Sequence, residues 1–136
     1  MQNNKNFQNV LLDYINAIPN IGFRARLDYF KDDVDDLVLN SIPSGTIDKE
    51  YFDGVREVSL LFEIAVKSKS NQLASDVIWL INGALSEFDI DLPSTDNSYM
   101  FMSLDVGKPR INGQDEQKFF VYTLQLKAKI EIGGNK

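Results

Sequence analysis

The chain has 136 residues, 43% of them hydrophobic and 25% charged, with 14 basic against 20 acidic residues and a net charge of −6. That is the make-up of one soluble globular domain with a core of its own, and the acidic balance argues against a dedicated grip on nucleic acid, which needs clustered Lys and Arg. There is no cysteine and no histidine, so disulfides, zinc fingers, thiol nucleophiles and a histidine general base are excluded.

No apolar run approaches the roughly 20 residues that span a bilayer; the longest run of large apolar residues is Val77-Ile78-Trp79-Leu80-Ile81. The stretch Met1 to Asn9 lacks an apolar core of the kind a signal peptide needs, and none is expected.

Asn3 or Asn4 can cap a first helix, in which Phe7, Val10, Leu11, Tyr14, Ile15 and Ile18 recur at helical spacing up to Pro19-Asn20. Ile21, Phe23, Ala25, Leu27 and Tyr29 then alternate with Arg24, Arg26 and Asp28, the pattern of a half-buried strand whose arginines lie on one side, facing solvent or else pairing with acidic residues of a neighbouring chain. The run Lys31-Asp32-Asp33-Val34-Asp35-Asp36 reads as a loop, Leu37 to Ile42 as a short strand, and Pro43 to Glu50 as a further loop.

The organising stretch is Val55 to Phe88. Val58, Leu60, Phe62, Ile64 and Val66 alternate with more polar residues, which places them on one face of a strand. Lys67-Ser68-Lys69-Ser70-Asn71 offers helix N-caps. Leu73, Val77, Leu80, Ile81, Ala84, Leu85 and Phe88 then predict an apolar stripe on a second helix. After a loop at Pro93 to Ser98, Tyr99 to Val106 reads as a strand and Gly107 to Gly113 as part of a loop. Lys118 to Ile132 reads as the longest strand, with Phe120, Tyr122, Leu124, Leu126, Ala128, Ile130 and Ile132 on its core face. Short connections favour antiparallel pairing. The expected fold is a single α+β domain over 1–132, a mainly antiparallel twisted sheet of about five strands with both helices on one face, followed by a flexible tail at 133–136.

One feature breaks the pattern. Phe119 and Val121 alternate with Phe120 and Tyr122, and Tyr99 and Phe101 alternate with Met100, Met102 and Leu104. If these strands pair, one end of the sheet is apolar on both faces. Either a loop such as 43–53 covers the second face, or that face is a subunit contact. Tyr99, Phe101, Phe119 and Val121 are the candidate interface, and Phe101→Ser with Phe119→Ser is expected to spare the fold. Trp79, beside the buried stripe, is either edge of core or a fifth interface residue.

Reactive chemistry is sparse. G-x-G-x-x-G, Walker and G-x-S-x-G patterns are missing, and Pro109 spoils Gly107-Lys108 as a phosphate loop. Asp28, Asp32, Asp33, Asp35 and Asp36 could hold Mg²⁺ or Ca²⁺, yet they lack the spacing and turn glycine of an EF-hand. A solvated acidic loop is the expectation. No catalytic residue, metal site or cofactor is predicted, and no enzymatic activity.

The whole chain resembles the tail terminator proteins of long-tailed bacteriophages, above all those of phages of Gram-positive hosts that are often labelled minor capsid proteins. The likeness rests on the opening helix Phe7 to Ile18, the strand beginning Gly22-Phe23-Arg24, and the run Val55-Arg56-Glu57-Val58-Ser59-Leu60-Leu61-Phe62-Glu63-Ile64 leading into Leu73 to Phe88. The strand Phe119 to Ile132 closes it. The resemblance implies a structural protein of the virion tail or neck, assembled in the host cytoplasm. It implies a ring, typically a hexamer, that caps the head-proximal end of the tail tube, stops its polymerisation and offers a surface to head completion or connector proteins. Its partners are then copies of itself, the tube protein and the head-side protein, with no membrane and no sequence-specific nucleic acid. A head-side neck or tail completion protein is the related alternative. A small acidic inhibitor or immunity protein, which would bind a basic target one to one, is the alternative of another class.

Overall fold

Helix α1, Lys5–Asn16, and helix α2, Asn71–Leu85, pack on one face of a five-stranded antiparallel sheet. This is the computed structural model of residues 5–133, which for 44–46 describes the backbone alone. The expected caps Asn3 and Asn4 and the tail from 134 onward lie outside the described residues. The strands are β1 (Asp36–Glu50), β2 (Val55–Ser68), β3 (Met100–Val106), β4 (Arg110–Gln114) and β5 (Phe120–Gly133). β5 is central: β2 pairs along one side, with β1 outside it, while β3 and β4 lie end to end along the other side. The expected α+β architecture is the observed one.

The period-two pattern of β2 and β5 explains the core. Their register sets Val58 against Ile130, Leu60 against Ala128, Phe62 against Leu126 and Ile64 against Leu124, and all eight are buried under the helices. Each such large side chain taken out of water contributes about 1.5–3 kcal/mol. From α1, Phe7 enters this face and meets three rings: Phe62 at 5.6 Å, Tyr99 edge-on at 5.4 Å and Phe101 stacked at 6.3 Å. Ser70 caps α2, its hydroxyl accepting from Leu73 N–H at 3.1 Å, which satisfies a donor the helix start would otherwise leave open.

Four expectations are corrected. Residues 21–29 do not form a strand. Asn16 takes both backbone groups of Ala25, its Oδ1 accepting from Ala25 N–H at 2.7 Å and its Nδ2 donating to Ala25 C=O at 3.2 Å. Only Arg26 pairs with the sheet, in a parallel bridge to Val38. The alternation buries Ile21 and Ala25 but leaves Leu27 and Tyr29 exposed.

β1 does not stop at Ile42 but runs on to Glu50, through a bulge between Ile42 and Thr46 that absorbs Pro43. Asp53-Gly54 makes the tight turn into β2, with Gly54 at φ +88°, a hairpin signal hidden inside an apparent loop. Likewise β4 forms inside the expected loop after Gly107. Last, Gly133 belongs to β5 rather than to a tail. It sits at φ +89°, and a Cβ there would stand 2.8 Å from Gly54 C=O.

Candidate functional site

Of the five residues expected at a subunit contact, two turn inward. Tyr99 is 8% exposed, donates its hydroxyl to Leu92 C=O at 2.6 Å and touches Phe7; burial pushes its phenol up to about 12. Phe101, half-buried, stacks on the same ring. The physical reason is a bulge in β3 at Met102: Phe101 pairs with Ile130 and Leu104 with Ala128, so both face the helices although an even spacing never joins them. Met100 and Met102 turn out to solvent instead.

Phe119 and Val121 do lie on the face away from the helices, where Val121 pairs with Lys67. Phe119 is nonetheless 1% exposed. The Lys67 ammonium sits 4.5 Å from its ring and 5.2 Å from that of Phe30, and donates to Lys31 C=O. The segment around Phe30 and Lys31, not 43–53, therefore roofs this end of the second face. Val121 is half-buried.

Two carboxylates of the acidic segment anchor it, against the expectation of a wholly solvated loop. Asp35 accepts from Ser68 Oγ at 2.8 Å and from Lys69 N–H at 3.2 Å. Asp36 is buried and takes the Arg26 guanidinium, Lys31 N–H and Leu37 N–H. Burial disfavours its charge, but the bonds from Lys31, Arg26 and Leu37 outweigh that and hold its carboxyl below the usual range. A lowered folded value adds stability above the unfolded value and loses it as pH falls through the folded one. Wild type should thus lose more stability between about pH 6 and about pH 3 than Asp36→Asn does, as read from urea midpoints. Among the described residues no group of three or more His, Cys, Asp or Glu is placed to hold a metal ion.

Trp79 is the expected residue left open, at 49% exposed. α2 buries Ala74, Val77, Ile78, Ile81 and Leu85, so its buried stripe is rotated from the expected one, and Leu73 and Leu80 emerge with Trp79. Leu73 and Leu80 form one wall of an open groove of about 800 Å³, whose other wall is the Ile21–Arg24 segment. The groove's carboxylates are engaged, Asp76 by Gln72 Nε2 at 2.8 Å and Asp35 and Asp36 as above. The side chains of Arg24 and Lys31 have no partner among the described residues and are exposed.

Beyond the other end of α2 stands Phe88, expected in the core but 99% exposed. The helix ends at Leu85, with Ser86 N–H bonded to Asn82 C=O, and the chain turns before Phe88 can reach the sheet. Glu87, Asp89 and Asp91 beside it are exposed too. Sequence reasoning missed both surfaces. The signal present was the charge density of 87–91, unlike the interior of an apolar stripe.

The comparisons with known proteins agree in direction. No curated protein matches the sequence. Among solved structures 28 chains match. One, from the "Virion of native gene transfer agent (GTA) particle", superposes with a TM-score of 0.63 at 11% identity, over 91% of this chain and 93% of that one; at that identity the likeness concerns the fold. The family described as "Bacteriophage tail terminator protein" matches residues 8–132, which takes in both helices from Gln8 on and every strand apart from Gly133 at the end of β5. The chain therefore belongs to the bacteriophage tail terminator family, a structural component of the virion tail.

Proposed function

We propose that this protein forms a ring, a hexamer, that caps the head-proximal end of the tail tube, stops its growth and presents the joining surface for a head completion or connector protein. The observation that carries this reading is the family match over residues 8–132. The surfaces support it. A ring requires a heterologous contact, two different patches on each subunit, and this subunit offers unlike exposed apolar patches at the two ends of α2. Its work is assembly rather than catalysis. With a net charge of −6, an acidic ring lets DNA pass without holding its phosphates.

Light scattering over a wide concentration range, alone and with purified tail tubes, is the test. The expected result is a discrete hexamer of the 15.4 kDa subunit, free or seated on tube ends. In an infection lacking the protein, tails should be overlong or without heads. Tails of normal length, normally joined, would end this reading.

A further inference from the structure

We infer that the ring contact is made by the Phe88 loop of one subunit entering the groove between α2 and the Ile21–Arg24 segment of the next. The inference rests on the ring reading above and names its interface. Phe88 is an aromatic side chain with no intramolecular cover, and such rings are the side chains that anchor interfaces. It stands between Glu87 and Asp89, whose carboxylates have no partner among the described residues.

The groove matches it in both respects. Leu73 and Leu80 offer apolar surface, while Arg24 and Lys31 supply unpaired positive charge at the edge. Of the groove's own carboxylates, Asp36 is neutralised by Arg26, while Asp35 and Asp76 are bonded to neutral donors and keep their charge, so the attraction rests on Arg24 and Lys31 meeting Glu87 and Asp89 at the rim. The placement suits a closed ring. The groove runs along α2 from Leu73 to Leu80 and Phe88 stands three residues past the helix end, so knob and hole sit roughly 10–20 Å apart along the helix direction. A subunit cannot fill its own groove, and each passes the contact on head to tail.

The cysteine-free sequence makes the contact directly testable. Asp76→Cys and Asp89→Cys in one chain should give a ladder of disulfide-linked oligomers on mild oxidation, and neither change alone should give more than dimers, since only cysteines with Cα atoms within about 7 Å join. By sedimentation equilibrium, Phe88→Ala should weaken self-association roughly 30-fold or more. At a concentration where both are monomeric, its thermal melt should match that of wild type, because Phe88 covers nothing in the subunit. Phe52→Ala, at the equally exposed tip of the β1–β2 hairpin, should change association by less than about two-fold. Arg24→Glu should abolish the ring, and adding Asp89→Arg should restore it. A ring that survives Phe88→Ala, or a ring of the double-cysteine variant that yields no ladder, overturns this docking and leaves the ring standing. A wild type that stays monomeric even on tube ends overturns both.

Discussion

Phe7→Ala should cost about 3–5 kcal/mol, the range for emptying a buried aromatic site. Phe7 is wholly buried. It touches β2 through Phe62, the 92–99 segment through Tyr99 and β3 through Phe101. Truncation removes three aromatic contacts and opens a cavity that fixed strands cannot close. Against a total stability of about 5–15 kcal/mol, the loss should lower the melting temperature by about 10–20 °C in calorimetry. Phe7→Leu, which refills most of the volume, should recover more than half of it. A melting temperature within a few degrees of wild type for Phe7→Ala would show that α1 contributes little to the fold.

The second large effect lies on the other face. Phe119→Ser should cost about 3–4 kcal/mol, not the near-neutral change that strand alternation suggests. Phe119 is enclosed, and its ring forms the surface over which Lys67 and Lys69 hold their ammonium groups at 4.5 and 5.2 Å. Lys67 is itself only 3% exposed. Losing the ring strips a desolvated cation of an attraction worth about 0.5–2 kcal/mol and leaves it with the Lys31 carbonyl and the more distant Phe30 ring. Urea titration should show a lower midpoint with an unchanged slope. If stability is unchanged and only self-association falls, Phe119 faces a partner rather than its own subunit.

These two residues show how much of the molecule was legible in the sequence. Period two in β2 and β5 and period 3.6 in α1 are local signals, and the layers they imply are the layers observed. The single-residue slip at Met102 is not local. It reverses the inward side of β3 between Phe101 and Leu104, and only the pairing with β5 reveals it. The roof over Lys67 was hidden for a related reason: the Phe30 segment and Phe119 are 89 residues apart in sequence, and nothing in either stretch announces the other. In α2 the apolar residues at 73, 80 and 88 satisfied a helical stripe as well as the buried ones did. Only packing against the sheet separates them, burying Ala74, Val77, Ile78, Ile81 and Leu85. The candidate site suffered most, because apolar residues at an interface and in a core carry the same pattern until burial separates them.

The bridge of Arg26 onto β1 has a consequence for solubility. An outer strand with free amides and carbonyls invites another sheet to add to it without limit. Here Arg26 N–H donates to Leu37 C=O at 3.3 Å and Arg26 C=O accepts from Leu39 N–H at 2.8 Å, so the apolar half of that rim is already stoppered. Further along, the irregularities after Ile42 and Ile47 break the flat run of the same strand, and on the opposite rim the slip at Met102 does so again. Neither rim offers a long, even ribbon for open-ended growth into fibres. Any contact between copies of the subunit would then be made through side chains, and such contacts can close on themselves and stop at a fixed number.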